Sequence, residues 1–155
     1  MLKAIFTLSI LTCVVCLGYG YAYRDDMVAA NMRKTYHSQM QAKRYVLAHN
    51  AASYLANHGD IEAYYHLAKL YENGQGVVPN MPRAVAYYKL AATANHPQSQ
   101  IYLAGLYQRG DGVTQDKQLA AHWYEKAVFN GREDALIPLR EVLGLARVPL
   151  KYSQA

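Results

Sequence analysis

The stretches "LYENGQGVVPN" (Leu70–Asn80) and "LYQRGDGVTQD" (Leu106–Asp116) write nearly the same pattern twice, 36 positions apart. When residue i is laid over residue i+36 from Leu67 to Ala91, ten of the twenty-five positions are identical. A self-match with a period of about 20–50 residues is typical of repeat arrays, in which one structural unit is copied along the chain. The sequence therefore predicts a repeat protein rather than a pair of independent loops.

The first half of each unit predicts a helix that ends at a glycine. In "IEAYYHLAKLY", apolar residues recur at helical spacing on one face: Ala63, Leu67, Leu70 and Tyr71. Gly74 follows, and glycine adopts the left-handed conformation that commonly closes a helix. Gly110 holds the same place in the second copy.

The second half of each unit predicts another helix, which begins at a capping residue. Asn80 and Asp116 are natural N-caps, because their side-chain oxygens accept hydrogen bonds from the free amides of the first turn. Pro82 fits in that first turn, where no amide donor is missed. Small alanines then let two helices approach closely while aromatic side chains fill the space beside them. The predicted fold class is therefore an all-α solenoid of helix pairs, in which each pair must stack on a neighbour.

The pattern continues weakly on both sides of these copies. Glu133 to Leu145 resembles the first helix of a third, truncated unit, in which Pro138 should shorten or kink the helix. Residues 25–57 contain no Gly or Pro, and we expect a helix pair that turns near Ser38 rather than one long helix. Methionines and Tyr36 recur there at loose helical spacing, which favours a cap packed on the solenoid. Docking on a membrane or a partner helix is the alternative.

The spaced pattern resembles the Sel1-like repeat, an α/α solenoid unit related to tetratricopeptide repeats. The second copy carries it as "LAGLYQRGDGVTQDKQLAAHWYEKA" (Leu103–Ala127), and the first copy departs mildly with Asn80 for Asp and Tyr87 for Trp. The resemblance implies a scaffolding protein that binds partners through a concave surface, often in the bacterial envelope or outside the cell. Some cysteine-rich relatives place a disulfide in each repeat, but no cysteine follows Cys16 here.

The first residues predict export. Lys3 is followed by twenty uncharged and largely apolar residues, and Gly20 and Ala22 precede a cleavage point before Tyr23. This layout is typical of a secretory signal. An uncleaved anchor that spans the membrane with residues 4–23 is the alternative, since twenty residues are just long enough to cross a bilayer. Either interpretation places the rest of the chain outside the cytoplasm. A cleaved signal predicts a periplasmic or secreted protein, and an anchor predicts a protein held in the inner membrane that faces the periplasm.

The predicted organisation follows from these boundaries. It consists of a signal or anchor (1–22), an N-terminal helical segment (23–58), a repeat region (59–146, divided into 59–94, 95–130 and a partial 131–146) and a C-terminal tail (147–155). The formal net charge of +5 is mild, and its lysines and arginines are spread along the chain. That distribution does not predict nucleic-acid binding.

The sequence carries no recognised catalytic, cofactor or metal motif. The Gly-x-Gly loops follow helices and lack the Gly-Lys-Ser/Thr of a phosphate loop. "RGDGVTQD" has too few acidic residues and no closing Glu for an EF-hand. The six histidines form no i, i+4 pair, although His58 and His96 both fall at junctions between units. We therefore expect no cofactor, no metal and no catalytic residue.

What remains is a candidate binding surface on the first helix of each unit. Opposite the leucine face, the two copies differ from each other, as expected where packing is shared and the surface is free to vary. The resemblance places this side on the concave surface. We define the candidate face by six residues: Tyr65, His66, Lys69, Ile101, Tyr102 and Arg109. Tyr65 and Tyr102 are the strongest candidates for contact, because rigid aromatic side chains often anchor interfaces.

The sequence thus predicts a non-catalytic adaptor, scaffold or assembly factor that binds another protein. Two alternatives stay open. One is an enzyme that acts on cell-wall material or a related small substrate, which a pair of carboxylates in a concave pocket would favour. The other is an accessory subunit of an envelope complex that residues 4–23 hold in the membrane.

Overall fold

The computed structural model describes residues 25–145 of the chain. The predicted signal or anchor, its two cysteines and the predicted tail lie outside the described residues. Within 25–145, every regular element is helical. The predicted all-α fold class is confirmed.

The helices follow one another in a regular order. Helix α1 occupies residues 25–41. It is followed by α2 (Tyr45–Asn57), α3 (Ile61–Asn73), α4 (Met81–Thr93), α5 (Pro97–Arg109) and α6 (Lys117–Phe129), and then by a 3₁₀ turn (Glu133–Ala135) that leads into α7 (Leu136–Val142). The extensive contacts from α2 onward join helices that are neighbours in sequence. This is the nearest-neighbour packing of a solenoid.

The caps explain why the repeated helices begin and end where they do. The side chains of Asn80 and Asp116 accept hydrogen bonds from the backbone amides of Arg83 and Leu119, as predicted. Gly74 and Gly110 both have the left-handed conformation that closes a helix, with φ of 65° and 80°. The repeated residues therefore set the bounds of the repeated helices.

The core runs along the solenoid as two connected layers of small and aromatic side chains. The predicted core positions Ala63, Leu67 and Leu70 of α3 are buried, and so are Leu103 and Leu106 of α5. Alanines on α2, α4 and α6 are almost fully buried and let these helices approach their neighbours closely. Tyr36 of α1 packs into the N-terminal layer together with Leu67. The N-terminal segment thus caps the solenoid, although Met27 remains exposed.

The structure corrects one detail of the predicted N-terminal segment. Residues 25–57 do form two helices, but they turn at residues 42–44 instead of near Ser38. Ser38 lies inside α1 and donates its hydroxyl hydrogen bond to the carbonyl of Thr35. The turn uses Lys43, whose φ is 56°, in place of the glycine that usually supplies this conformation. At the other end, the predicted helix of the third unit is reduced to the 3₁₀ turn and α7, which contains Pro138.

The second glycine of each loop packs on the unit before it. A Cβ atom on Gly76 would lie 2.4–2.6 Å from the backbone of Tyr45 and Val46, at the start of α2. A Cβ atom on Gly112 would lie 2.8 Å from the side chain of Met81, at the start of α4. The same contact therefore joins each loop to the preceding helix pair, once through backbone and once through a side chain.

Candidate partner-binding face

The candidate face is built by α3 and α5, which lie 36 residues apart in register. Tyr65, His66, Lys69, Ile101 and Tyr102 are half-buried, whereas Arg109 is exposed. None of the six belongs to the fully buried core. Five of the six are thus held by packing and remain partly accessible.

Two tyrosines on this face meet between the first helices of the two units. The ring centroids of Tyr65 and Tyr102 lie 5.8 Å apart. Tyr102 also stacks on Tyr88 of α4 at 5.4 Å, with the rings nearly parallel, and the Lys69 ammonium lies 4.6 Å from the centre of the Tyr102 ring. The Tyr102 ring is thus held by α3, α4 and α5 together. The Tyr102 ring therefore contributes to packing between helices as well as to the candidate face, and the sequence did not indicate the packing role.

A hydroxyl network lies behind these rings. The Tyr88 hydroxyl donates a 2.7 Å hydrogen bond to Glu72, and Lys69 contacts the same carboxylate oxygen at 3.1 Å. Burial of the Tyr88 ring raises the pKa of its hydroxyl above the ordinary value, and the bond to Glu72 raises the pKa further. In the second copy, Tyr124 donates an equivalent 2.9 Å bond to Gln108. The network is therefore a repeated feature whose acceptor changes from a carboxylate to an amide.

His66 joins α3 to α1. Its ring stacks on Tyr36 at 4.1 Å, and the His37 ring meets it edge-on at 5.8 Å. Burial lowers the pKa of His66 to about 4, and the nearby Glu62 opposes this shift only in part. Burial also raises the pKa of Tyr36 to about 12. At neutral pH the stack consists of two uncharged rings, which suits its place between packed helices.

Glu62 lies at the start of α3 beside this stack. Its Oε2 atom is 3.0 Å from His96 Nε2, and its Oε1 atom is 3.8 Å from His66 Nε2. His96 is the N-cap of α5, where its Nδ1 atom accepts from the Ser99 amide. A junction residue of the second unit therefore lies on the candidate face of the first. The Tyr65 ring also packs on His96, with centroids 5.1 Å apart.

The structure does not bring all six predicted residues together. Tyr65, His66, Lys69 and Tyr102 form one cluster with Glu62 and His96. Ile101 contributes to the same core packing as Tyr65 and Tyr102. Arg109 forms a 2.6 Å ion pair with Asp111 in the following loop. Arg109 is seven residues from Tyr102 along α5, about 10 Å further along the helix axis. The candidate face is therefore a compact cluster with Arg109 beyond its edge.

The residues that the sequence analysis missed are Tyr36, Tyr88 and His96. The sequence did contain an indication for Tyr88, because the same residue type recurs 36 positions later as Tyr124. His96 was noted only as a junction residue, and Tyr36 only as part of an apolar stripe. Their places depend on contacts between units, which the spacing within one unit does not reveal.

The other chemical features of residues 25–145 concern metal binding, carboxylates, clefts and apolar helices. In residues 25–145, no group of three or more His, Cys, Asp and Glu side chains could hold a metal ion. Glu62 and Glu72 lie about 15 Å apart along α3, so they do not form a close acid pair. Two clefts of about 360 Å³ flank α1, and neither includes a residue of the candidate face. None of the helices between residues 25 and 145 combines the length and apolar character needed to cross a bilayer.

The sequence and the fold are both similar to those of known proteins. The family described as Sel1 repeat matches residues 61–96 and 97–128. No curated protein matches the chain. A solved Sel1 repeat protein from Oxalobacter formigenes is similar over 61% of this chain and 39% of its own length, with 29% identity and a TM-score of 0.59.

Two further structures are similar. A protective antigen from uropathogenic Escherichia coli strains, which displays an SLR fold, aligns with 29% identity over 68% of this chain and 24% of its own, with a TM-score of 0.61. Cysteine-rich protein B of Helicobacter pylori shares the fold at 22% identity, over 72% of this chain and 97% of its own, with a TM-score of 0.58. This chain spans well under half the length of the first two structures.

The helix pairs, their nearest-neighbour packing and these similarities define the class, a tetratricopeptide-like α/α solenoid. Within that class the chain carries two Sel1 repeats, residues 61–96 and 97–128, which are the two copies described above.

Proposed function

We propose that this Sel1-repeat protein is a non-catalytic module that receives a segment of another protein on the candidate face. The observation that carries the proposal is the cluster in which Tyr65 and Tyr102 meet between α3 and α5. Interfaces concentrate their binding energy in rigid aromatic side chains that are partly buried before a partner arrives. Sel1-repeat proteins typically bind protein partners, which supports the same conclusion.

The proposed setting is the bacterial envelope or the outside of the cell, where the protein serves as an adaptor, scaffold or assembly factor. The charge pattern of residues 1–22 supports export, by a cleaved signal or by an anchor. N-terminal sequencing of the exported protein distinguishes these forms. A chain that starts at Tyr23 supports a cleaved signal, whereas a retained segment 4–23 supports the membrane-anchored accessory subunit.

A photo-crosslinking experiment tests the binding face. A photoreactive amino acid replaces Lys69, which lies in the cluster of the candidate face, or, as a matched control, Lys89, which is exposed on α4. The full chain is expressed in its host, irradiated, and analysed for adducts by mass spectrometry. We expect a discrete adduct with another protein from position 69 and none from position 89. Equal adducts from both positions, or none from position 69, would contradict the proposed face.

A further inference from the structure

Glu62 is an exposed carboxylate with an unusual set of neighbours. Its side chain is 55% exposed, and its two ion-pair contacts are both histidines, His66 and His96. A histidine neutralises a carboxylate only when it is protonated. Since the pKa of His66 is about 4, that ring is neutral at physiological pH. Glu62 thus keeps much of its negative charge at the centre of the candidate face.

The cations nearest to this cluster already have carboxylate partners. Arg33 pairs with Asp60 at 2.6 Å, and Lys69 pairs with Glu72 at 3.1 Å. Arg132 contacts Asp134 through two nitrogen atoms, at 2.9 and 2.6 Å, and also bonds to Gln98. None of these three cations has a described contact with Glu62. The charge of Glu62 is thus open to a cation from another molecule.

The repeat supplies an internal comparison for this position. Glu62 corresponds to Gln98 in the second unit and to Asp134 in the third. Gln98 carries no charge, and the charge of Asp134 is balanced by Arg132. Among the three equivalent positions, Glu62 alone combines a carboxylate with contacts to histidines only. The charge is thus a feature of one unit and not of the repeat pattern.

The aromatic rings beside Glu62 offer a surface on which the aliphatic part of a lysine or arginine side chain can pack. Tyr65 is half-buried, its ring lies 5.1 Å from the His96 ring, and Glu62 contacts the same histidine. A tyrosine face attracts a cation that lies about 6 Å or less from its centre. The methylene groups of lysine or arginine also pack well on apolar surface while the charged end reaches a polar partner. A tyrosine next to an unbalanced carboxylate offers both interactions at once.

We propose that Glu62 and Tyr65 form a subsite for a lysine or arginine side chain of the bound protein segment. The partner is therefore a protein whose bound segment contains a basic residue. This inference rests on the binding function proposed above. It adds the chemistry of the partner, which neither the family nor the fold specifies.

A peptide selection tests the subsite. Random peptides displayed on phage are selected against the full chain in detergent, against Glu62→Gln and against Glu72→Gln. Both substitutions remove one negative charge from α3 and install the residue that the second unit has at that position, Gln98 or Gln108. Circular dichroism first checks that each variant retains the helicity of the parent chain.

We expect the parent chain and Glu72→Gln to enrich peptides with lysine or arginine, and Glu62→Gln to lose this preference. For a selected basic peptide, Glu62→Gln should weaken binding about tenfold, as expected for loss of a partly desolvated charge pair. Glu72→Gln should weaken the same peptide less than about threefold, because Glu72 already has Lys69 and Tyr88 as partners.

The other outcomes overturn the proposal in distinguishable ways. Peptides that bind without a basic preference, or that bind Glu62→Gln equally well, would refute the subsite and leave the binding function standing. Equal losses in both variants would show an effect of net charge rather than of a site. A parent chain that enriches no peptide would refute the binding function and the subsite together.

Discussion

The two Sel1 repeats of this chain share a framework and differ on one surface. Both units cap their second helix with a side-chain oxygen, close their first helix at a left-handed glycine and place a tyrosine hydroxyl on an acceptor sixteen residues earlier. On the candidate face, however, Glu62, Tyr65 and His66 of the first unit correspond to Gln98, Ile101 and Tyr102 of the second. The contacts that hold the array together are repeated, whereas the groups able to distinguish partners are not.

The largest expected effect comes from the interunit glycines. Gly76→Ala should destabilise the fold by about 3 kcal/mol or more, because the new Cβ atom meets the backbone of Tyr45 and a φ of 74° is strained for alanine. Gly112→Ala should cost about 1–2 kcal/mol, since the Met81 side chain can move aside. Valine at either position should cost more. Urea unfolding followed by circular dichroism measures each change.

Gly59→Ala is the control for this pair. Its φ of 79° is equally strained, but nothing lies within 4 Å of the new Cβ atom. We expect a loss of about 1 kcal/mol from conformation alone. If all three variants lost the same stability, the contact between units would contribute nothing measurable.

The second effect is a pH dependence confined to the first unit. The pKa of His66 is about 4 in the folded chain and 6.5 in the unfolded chain, so protonation favours unfolding. The stability from a neutral His66 is fully present above pH 6.5 and declines as the pH falls toward 4. A shift of this size corresponds to at most about 3 kcal/mol.

Replacement of His66 by phenylalanine should flatten the stability profile between pH 6.5 and 4, while the contributions of other groups remain. The comparison is made by urea unfolding at several pH values. His122→Phe provides a control, because His122 is exposed on α6. A profile that stays equally steep in His66→Phe would show that the buried stack on Tyr36 does not control the pH response.

The third effect compares the two repeated hydroxyls. Tyr88→Phe should cost about 2 kcal/mol, because it removes a hydrogen bond to a carboxylate. Tyr124→Phe should cost about 1 kcal/mol, because its acceptor is the neutral amide of Gln108. Glu72→Gln combined with Tyr88→Phe tests the interpretation by a double-mutant cycle. If the Tyr88→Phe loss is unchanged in the Glu72→Gln background, the charge of the acceptor does not matter.

The last prediction concerns position 65, where the expected change is a loss of partner affinity. Tyr65→Ala should weaken a partner or selected peptide about tenfold while helicity is kept, as expected for an aromatic anchor. Ile101→Ala, at the equivalent position of the second unit, should weaken binding less than about threefold, because an aliphatic side chain anchors a partner less strongly than an aromatic one. Affinity is measured by fluorescence anisotropy. A larger loss from Ile101→Ala would move the binding site to the second unit.

Much of the fold could be predicted from the sequence, because the residues that determine it act locally and occur in both repeats. Asn80, Asp116, Gly74 and Gly110 each act within a few residues of their own position, so spacing was enough to predict their roles. The turn at Lys43 escaped prediction because lysine rarely adopts a positive φ. No residue near Ser38 interrupts the helix, which continues to residue 41.

The candidate site could be predicted only in part. Periodicity placed Tyr65, His66, Lys69 and Tyr102 on one side of their helices, and the structure brings them together. Periodicity could not show that Tyr36 stacks on His66 or that His96 contacts Glu62, because these contacts join residues from different units. Arg109 shares a helix with Tyr102, but the rise of that helix carries it away from the cluster.

The contact between each Gly-x-Gly loop and the helix pair before it also bears on how such a chain can change in length. Tyr45 and Gly76 form the first contact, and Met81 and Gly112 form the second. Each residue of the second contact lies one repeat period after its counterpart in the first. Any in-frame duplication of 36 residues therefore copies both halves and recreates a complete junction at the new boundary. A duplication whose length is not a whole number of repeats separates them. The glycine that limits substitution within the array is thus also what permits the array to grow by whole units.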